Sequence, residues 1–265
     1  MTTCTPGRPT GYEPLNTLKP CTDHIWLIDG PALHGNCMPF PSRATVVQLD
    51  NGDLWVHAPT QLTDGLRKEL DALGPVRHLI APNWRHFAYI ADWQASYPKA
   101  TAWAAPGVTE RAAIKGMPIA FDHTLGSCAE PAWDGQIDQL IVQGNKRHCE
   151  AVFFHRESKS LIITDLIQNL ETVKLPIWMR PLVWIAGIDD SDGKMPPDMR
   201  LTFRKNSLAA SIEQLIAWAP ERIILAHGRW FERSAVSELE RAFRRILSDR
   251  RWDDALKQIQ SKQGK

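Results

Sequence analysis

The spacing of apolar and polar residues predicts a hairpin near the start of the chain. Short apolar runs bounded by turn-forming residues predict strands over His24–Asp29, Ala44–Leu49 and Leu54–His57. The second and third runs are separated by Asp50–Asp53, which contains Asn-Gly, the dipeptide most typical of a tight hairpin turn. These two strands are therefore expected to pair antiparallel.

A helical repeat follows directly after this hairpin. Leu66, Leu70 and Leu73 recur on one helical stripe, and Thr63 stands where an N-cap is expected. Gly74 and the proline after it end the pattern. A helix is therefore predicted from the Thr63 cap to about Leu73.

The remaining chain alternates between apolar runs and amphipathic stretches, and this order predicts the architecture. Strands are predicted over Val76–Ala81, Ala100–Ala104, Ile137–Val142, Glu150–His155, Ser160–Thr164 and Ile223–Ala226, and helices over Trp84–Tyr97, Thr109–Lys115, Leu208–Ala219 and Ser234–Ser248. Hairpins first and strand–helix–strand units later favour two mixed sheets packed together, with helices outside. No linker divides the chain, so residues 1–265 are expected to form a single domain.

An apolar segment with many prolines and glycines, Leu175–Met199, interrupts this series. It is predicted to be an irregular insertion directly after the strand that ends near Asp165. Three interpretations stay open for it: a lid over a site, a contact between two copies in a homodimer, or additional core.

Composition narrows the class of protein without identifying it. The chain is 43% hydrophobic and 23% charged, as in ordinary globular proteins, and its formal net charge is +1. That charge gives no reason to expect nucleic acid or an anionic membrane as a partner. No stretch reaches the about 18 apolar residues of a membrane span, and the first residues lack the apolar core of a secretory signal, so a cytoplasmic location is expected. The five cysteines form no CxxC pair and are interpreted as free thiols.

Polar residues stand at the ends of four predicted strands. His57 ends one strand, Asn83 and His86 follow the next, and Asp165 and His227 follow two later strands. Side chains at strand ends are held rigidly by the sheet while the loops around them vary, so such positions often build functional sites. We expect these residues to meet in one polar site.

The order of these residues resembles that of the metallo-β-lactamase superfamily. In that superfamily a strand ends in His-x-His-x-Asp-His, a later strand ends in Gly-Asp, and a last strand ends in a histidine beside glycine. Here Leu79–His86 (LIAPNWRH), Thr164-Asp165 and Ala226–Gly228 (AHG) occupy the corresponding places. The resemblance implies an α/β (α+β) fold, a four-layer αββα sandwich with two mixed β-sheets flanked by helices.

Longer segments resemble one bacterial branch of that superfamily, the domain of unknown function 4336. They are YEPLNTLKP, LWVHAPTQLT, LGPVRHLIAPN, EAVFFHRESKSLIITDL, DMRLTFRK and AWAPERIILAHGRW, and together they extend from Tyr12 over nearly the whole chain. This branch implies the fold but no particular activity.

The resemblance also implies that the metal site is altered. Members of the superfamily bind two zinc or iron ions, but Ala81, Asn83 and Arg85 replace the first two histidines and the aspartate of the motif. Alanine has no ligand atom, an amide is a weak ligand, and arginine repels a cation. A site for one zinc or iron ion, or for none, is therefore expected.

The residues left for one ion are His86, Asp165 and His227, with Glu150 or His148 as a fourth ligand. The choice of the fourth ligand depends on the hairpin around residues 156–159. If those residues form the turn, Glu150 lies near Asp165, whereas His155 lies about 15 Å away along the sheet. His155 is therefore expected outside the site.

Three further residues are candidates for catalysis or support, besides Asp165 as ligand or general base. His57 and Asn83 are placed to orient a metal ligand by hydrogen bonding. Arg229, just past His227, could bind an anionic substrate through both guanidinium nitrogens, or it could be an ordinary surface arginine.

Three functions follow from this site. The first is a metal-dependent hydrolase of esters, amides or phosphoesters that uses one ion to activate water. The second is a non-catalytic relative that binds a small molecule or a partner without metal. The third is an iron-dependent redox protein, since histidine and carboxylate ligands also suit iron. In each case the expected partner is a small-molecule substrate or ligand.

Overall fold

The computed structural model describes residues 11–35, 38–145 and 149–263, and within them two β-sheets. The first sheet has seven strands in chain order: β1 (Lys19–Thr22), β2 (Ile25–Gly35), β3 (Met38–Gln48), β4 (Leu54–His57), β5 (Val76–Ala81), β6 (Thr101–Ala104) and β7 (His123–Thr124). Strands β1 to β4 pair antiparallel, and β4 to β7 pair parallel. This sheet is therefore mixed.

The second sheet has four strands and is also mixed. Its members are β8 (Ile137–Gln143), β9 (Cys149–His155), β10 (Ser160–Ile163) and β11 (Arg222–Leu225), in the spatial order β11-β10-β9-β8. Strand β10 pairs antiparallel with β9 and parallel with β11. The expectation of two mixed sheets is confirmed.

The structure describes eight α-helices, most of which pack on the sheets. They are α1 (Asp64–Leu73), α2 (Ile90–Ser96), α3 (Val108–Ile114), α4 (Arg180–Ala186), α5 (Pro197–Arg200), α6 (Lys205–Ala217), α7 (Ala235–Ala242) and α8 (Arg244–Gln263). Among the helices that the structure describes, none combines the length and the apolar character needed to cross a membrane.

Side chains of the second sheet point alternately into two apolar clusters, one on each face of the sheet. Phe153, Ile162 and Ile224 point toward the first sheet, where they join one apolar cluster. Their neighbours Leu161 and Ile223 point the other way and pack under α6 and α7. This period-two alternation is what a strand covered on both faces requires, and it produces the four-layer αββα sandwich.

The local signals in the sequence placed several elements correctly. Thr63 caps α1 by accepting a hydrogen bond from the backbone N–H of Leu66, and Gly74 ends the helix. The hairpin register is also confirmed, since His155 pairs with Ser160 and Phe153 with Ile162.

Other expectations were wrong. The predicted helix Trp84–Tyr97 begins only at Ile90, because the side-chain oxygen of Asn83 accepts the backbone N–H groups of Arg85 and His86 and holds residues 84–89 in turns. The predicted closing helix Ser234–Ser248 is two helices, α7 and α8, separated at Phe243. Strands β1 and β7 were not predicted at all.

The segment Leu175–Met199 is more regular than predicted. It contains a 3-10 turn at Ile177–Met179, helix α4 and most of α5. Its inner side chains, among them Met179 and Val183, are buried, whereas Trp178 and Trp184 are more than half exposed.

Candidate metal centre

The register of three strands brings the candidate residues together. Strands β10 and β11 run parallel with Ile163 paired to Leu225, and Asp165 and His227 each lie two residues beyond that pair. The loop after β5 reaches the same edge, since Asn83 forms an isolated bridge with Glu150 at the start of β9. His86 follows three residues later in this loop.

The ligand atoms of three side chains converge at this edge. His86 Nε2 lies 3.1 Å from His227 Nε2 and 3.3 Å from Asp165 Oδ2. His227 Nε2 lies 3.3 Å from Asp165 Oδ1. Among the described residues, these three form the group that could hold a metal ion.

The proton on His227 can be placed from its second ring nitrogen. Nδ1 of His227 lies 2.6 Å from the carbonyl oxygen of Pro41, which can only accept, so Nδ1 carries the hydrogen. In the neutral ring, Nε2 then presents a lone pair to the carboxylate of Asp165 and to the ring of His86. Two acceptors this close need a cation or a proton between them.

Asn83 orients both the carboxylate and the loop. Its oxygen accepts from the backbone N–H groups of Arg85 and His86, at 2.9 and 3.1 Å, which fixes the orientation of the amide. Its nitrogen therefore faces Asp165 Oδ2 and Thr164 Oγ1, both at 2.9 Å. Asn83 thus acts as a hydrogen-bond donor to a candidate ligand and is not itself placed to bind a cation.

Glu150 lies beneath the centre. Its two carboxylate oxygens accept the backbone N–H groups of Thr164 and Asp165, at 2.7 and 2.8 Å. It lies outside the converging group, although its oxygens fix the backbone that carries Asp165. Burial and the neighbouring charge of Asp165 raise the pKa of Glu150 to about 7.

Burial also shapes the charges of the converging group. Burial lowers the pKa of His86, which favours the neutral imidazole that metal ions bind. Burial alone would raise the pKa of Asp165, but the His86 and His227 rings hold it well below its usual range. The centre therefore presents an ionised carboxylate to two imidazole rings.

The turn that carries His227 is fixed from both sides. The buried guanidinium of Arg43 donates to the carbonyl oxygens of Leu225 and Gly228, both at 2.9 Å, and to Asp29 Oδ1 at 2.9 Å. Gly228 has a φ of +84° and packs directly against the backbone of Asn169. Strand β3 of one sheet thus holds the end of β11 in the other.

Three other histidines that the sequence analysis weighed are not part of the converging group that the structure describes. His57 is buried between Trp55 and Phe153, and its Nε2 has no hydrogen-bond partner, so this nitrogen orients no ligand. His155 lies at the far end of β9, where its Nδ1 is 2.8 Å from Ser158 Oγ. His148 lies outside the described residues.

Arg229 forms an ion pair outside the converging group. Its guanidinium is 59% exposed and lies 3.4 Å from Glu171 Oε1. The sequence left two interpretations of Arg229 open, a substrate-binding arginine or an ordinary surface arginine. An exposed ion pair of this kind is typical of an ordinary surface arginine.

A positive charge lies beside the converging group. Ala81 has no ligand atom, and Arg85 forms an ion pair with Asp198 of α5. Partial burial would lower the pKa of Arg85, but the charges of Asp165 and Asp198 raise it, so the guanidinium stays charged. This charge opposes binding of a second cation.

The centre is nearly closed to solvent. The side chains of His86, Asp165 and His227 are 8%, 2% and 7% exposed. The cavity that borders His86, between Arg85, Phe87 and Thr60, measures about 10 Å³, about enough for one water molecule.

Several supporting groups were missed from the sequence. Gln168 donates to Asp165 Oδ1 at 2.8 Å from a position three residues later in the same loop. Arg43, a charged residue in a buried apolar strand, was a signal that could have been noticed. The Pro41 carbonyl leaves no signal in a sequence, because every residue has one.

Comparisons with known proteins agree with this fold. The fold is that of metallo-β-lactamases. The crystal structure of DIM-1 metallo-β-lactamase exposed to ceftazidime matches with a TM-score of 0.60 and 14% identity over 87% of this chain and 94% of the other. The metallo-β-lactamase from Pontibacter korlensis matches with a TM-score of 0.57 and 13% identity over 83% of this chain and 95% of its own.

The chain belongs to the family described as domain of unknown function DUF4336, whose model matches residues 22–186. The matched range includes His86 and Asp165, whereas His227 lies beyond it. A comparison with curated proteins found no significant match.

Proposed function

We propose that this protein is a hydrolase that uses one metal ion, zinc or iron, held by His86, Asp165 and His227. The observation that carries the proposal is the lone pair of His227 Nε2, which faces the Asp165 carboxylate because the Nδ1 hydrogen is used by Pro41. A cation between these groups removes the repulsion between the acceptors.

The distances between the donor atoms fit such an ion. Ligands on a tetrahedral zinc ion at 2.0–2.1 Å lie about 3.4 Å from one another. Here the two ring nitrogens lie 3.1 Å apart, and each lies 3.3 Å from a different oxygen of the Asp165 carboxylate. Three protein ligands leave a further position for water, as in catalytic zinc sites.

The surrounding residues would set the orientation and charge of these ligands. Asn83 and Gln168 each donate to a different oxygen of Asp165, which holds the carboxylate in one orientation. The low pKa of Asp165, which burial opposes and the two imidazoles bring about, favours a role as ligand over one as general base. A bound ion would supply Lewis acidity and an activated water for attack on an ester, amide or phosphoester.

The closed centre favours a second candidate, a relative that binds a ligand without catalysis. A cavity of about 10 Å³ beside His86 admits no substrate unless the surrounding loops move. A hydrolase must therefore open, whereas a binding protein with a structural ion or none need not.

The test is the metal content of protein purified without chelator, compared between the wild type and two variants. We expect about one equivalent of zinc or iron in the wild type and in His155→Ala, and loss of metal in His227→Ala. Both histidines are buried, and each ends or follows a strand. His155→Ala therefore disturbs the fold about as much as His227→Ala does, but it leaves the candidate centre intact.

Three results would contradict the proposal. A wild type free of metal after growth with zinc and iron would favour the non-catalytic relative. Loss of metal in His155→Ala but not in His227→Ala would place the ion at the other end of the β9–β10 hairpin. Retention of iron with redox activity would instead favour the iron-dependent redox protein.

A further inference from the structure

The small cavity that borders His86 has a lining suited to binding an anion. We refer to it as the His86 cavity. It lies between strands β2 and β3, the loop after β4 and the turns at residues 84–89, and its volume is about 10 Å³. Arg43 and Arg85 line it, and the described residues contribute no carboxylate to its lining.

Two polar groups of this lining have no hydrogen-bond partner within the described part of the chain. They are Arg43 Nε and Thr60 Oγ1, and both side chains are buried. The other two nitrogens of Arg43 are used, Nη1 by the carbonyl oxygens of Leu225 and Gly228 and Nη2 by Asp29. Buried polar groups nearly always have a partner, so two unpartnered groups in one small cavity indicate a place for a ligand atom.

The chemistry of these two groups selects a hydrogen-bond acceptor. The Nε–H of an arginine can only donate, and a threonine hydroxyl can donate as well. A cavity of this size has room for about one oxygen atom, so the groups that line it surround the same point. One oxygen atom can therefore accept from Arg43 and Thr60 together.

The charges beside the cavity favour an anionic oxygen over a neutral one. Asp29 pairs with Arg43 at 2.9 Å and also with Lys19 at 2.8 Å, so one carboxylate is shared by two cations. Arg85 adds no net charge, because it pairs with Asp198. Arg43 is therefore only partly neutralised, and hydrogen bonds from a charged donor are strongest to a charged acceptor.

The backbone beside Thr60 is strained. Ala58 lines the cavity and has a φ of +50°, in the left-handed region that costs a residue other than glycine about 1 kcal/mol. Its N–H donates to the carbonyl oxygen of Ile80 at 3.0 Å, which holds this conformation. Strain of this kind is concentrated at functional sites, so it supports a role in binding for the loop that carries Thr60.

We propose that the His86 cavity binds one oxygen of an oxyanion, a carboxylate or a phosphate group, which accepts from Arg43 Nε and Thr60 Oγ1. Asp165, which faces the rings of His86 and His227, does not line the cavity and does not repel this group at contact distance. Assigning the oxyanion to a substrate rests on the proposed function: a substrate of the centre would carry an anionic group next to the bond that is cleaved. The rest of the substrate needs the same loop movement that hydrolysis requires.

The test is the Tm of the full chain, treated with chelator and dialysed, in sodium acetate, acetamide or sodium phosphate. Sodium chloride at the same ionic strength is the reference. We expect a saturable rise in Tm with acetate or phosphate, because only the folded chain forms the cavity. Acetamide has the size of acetate without its charge and should bind about tenfold more weakly. A rise with acetate alone would identify the group as a carboxylate, and a rise with phosphate alone would identify it as a phosphate.

Thr60→Val tests the site in a protein that should fold as well as the wild type. The substitution keeps the branched shape and removes only an unpartnered hydroxyl, while the Thr60 carbonyl still accepts from Trp93 Nε1 at 2.7 Å. We expect about tenfold weaker binding of the oxyanion. The matched control is Thr22→Val, because the Thr22 hydroxyl is also buried without a partner in the described residues but lies outside the cavity. This control should bind like the wild type, and general salt effects should be equal in both variants.

Three results would overturn the proposal: no saturable effect of acetate or phosphate on the wild type, equal weakening by Thr60→Val and Thr22→Val, or acetamide binding as tightly as acetate. The oxyanion site and the proposed function can fail separately, because the titration uses protein without metal. A chain that binds metal but no oxyanion would contradict this inference alone. A chain that binds an oxyanion but no metal would support the oxyanion site and contradict the proposed hydrolase.

Discussion

At the scale of single residues, Gly228 shows how closely the turn beside His227 is built. A Cβ at this position would overlap the backbone carbonyl of Asn169, and the φ of +84° lies in the left-handed region. The carbonyl of Gly228 also accepts from Arg43. A side chain here must therefore displace the loop that carries Asp165 or the turn that carries His227.

We predict that Gly228→Ala destabilises the protein by about 3 kcal/mol or more, because backbone atoms cannot move aside as side chains can. Gly52→Ala is the matched control: its φ is +85°, but nothing lies within 4 Å of the added Cβ. That control should cost about 1 kcal/mol, the strain of the left-handed conformation alone. Urea unfolding of both variants measures the difference, and equal losses would show that the close contact has no cost.

His57 is a buried base with an unpartnered nitrogen. Its ring stacks on Trp55 with centroids 5.7 Å apart, and burial lowers its pKa to about 3, with a smaller effect of nearby His86. The ordinary value is 6.5, so between these two values the unfolded chain binds a proton that the folded chain excludes. This contribution to stability is complete above the unfolded pKa and is lost as the pH falls.

We predict that His57→Phe reduces the loss of stability on acidification by about 2 kcal/mol between about pH 7 and about pH 5. The measurement is the slope of the unfolding free energy against pH, which is independent of any constant packing cost. Trp55→Phe changes the neighbouring ring without removing a titratable group and should keep the wild-type slope. A wild-type slope in His57→Phe would mean that this ring is protonated in the folded protein.

At the scale of secondary structure, what could be predicted from the sequence depended on local signals. The Thr63 cap with its leucine stripe gave α1, and the turn at residues 156–159 gave the register of β9 and β10. Each of these signals lies within the element it predicts. The resulting placement of His155 away from the candidate centre followed from register alone.

The elements that were predicted wrongly depend on distant contacts. The turns at residues 84–89 form because Asn83, held from across the sheets by Thr164 and Asp165, captures two backbone N–H groups. The spacing of apolar residues along the chain contains no information about that contact. Strand β7 is only two residues long and exists because it pairs with β6.

The candidate centre also combines features that can be predicted from the sequence with features that cannot. The three residues His86, Asp165 and His227 are polar residues at strand ends, which a sequence displays. The groups that orient them are a backbone carbonyl at Pro41 and a glutamine amide at Gln168, which become visible only in three dimensions.

At the scale of the whole molecule, the candidate centre connects both sheets. His86 follows a strand of the first sheet, and Asp165 and His227 follow strands of the second. The Arg43 side chain crosses between the sheets at the same edge. An ion bound by these residues would therefore join the two halves of the sandwich, and its binding free energy would add to the stability of the fold.

We predict that zinc raises the Tm of protein freed of metal by chelator, since only the folded chain brings the three ligands together. At a free zinc concentration 100 times the Kd, the stabilisation is about 2.7 kcal/mol, or about 5 °C in a chain of this size. The doubly substituted variant His86→Ala/His227→Ala should melt at the same temperature with and without zinc. Protein freed of metal should still unfold cooperatively, because the apolar clusters on both sides of the second sheet do not include the centre. If zinc raised the Tm of the double variant as much as that of the wild type, the ion would bind elsewhere; if it raised neither, the three residues would form a polar cluster held together by a proton.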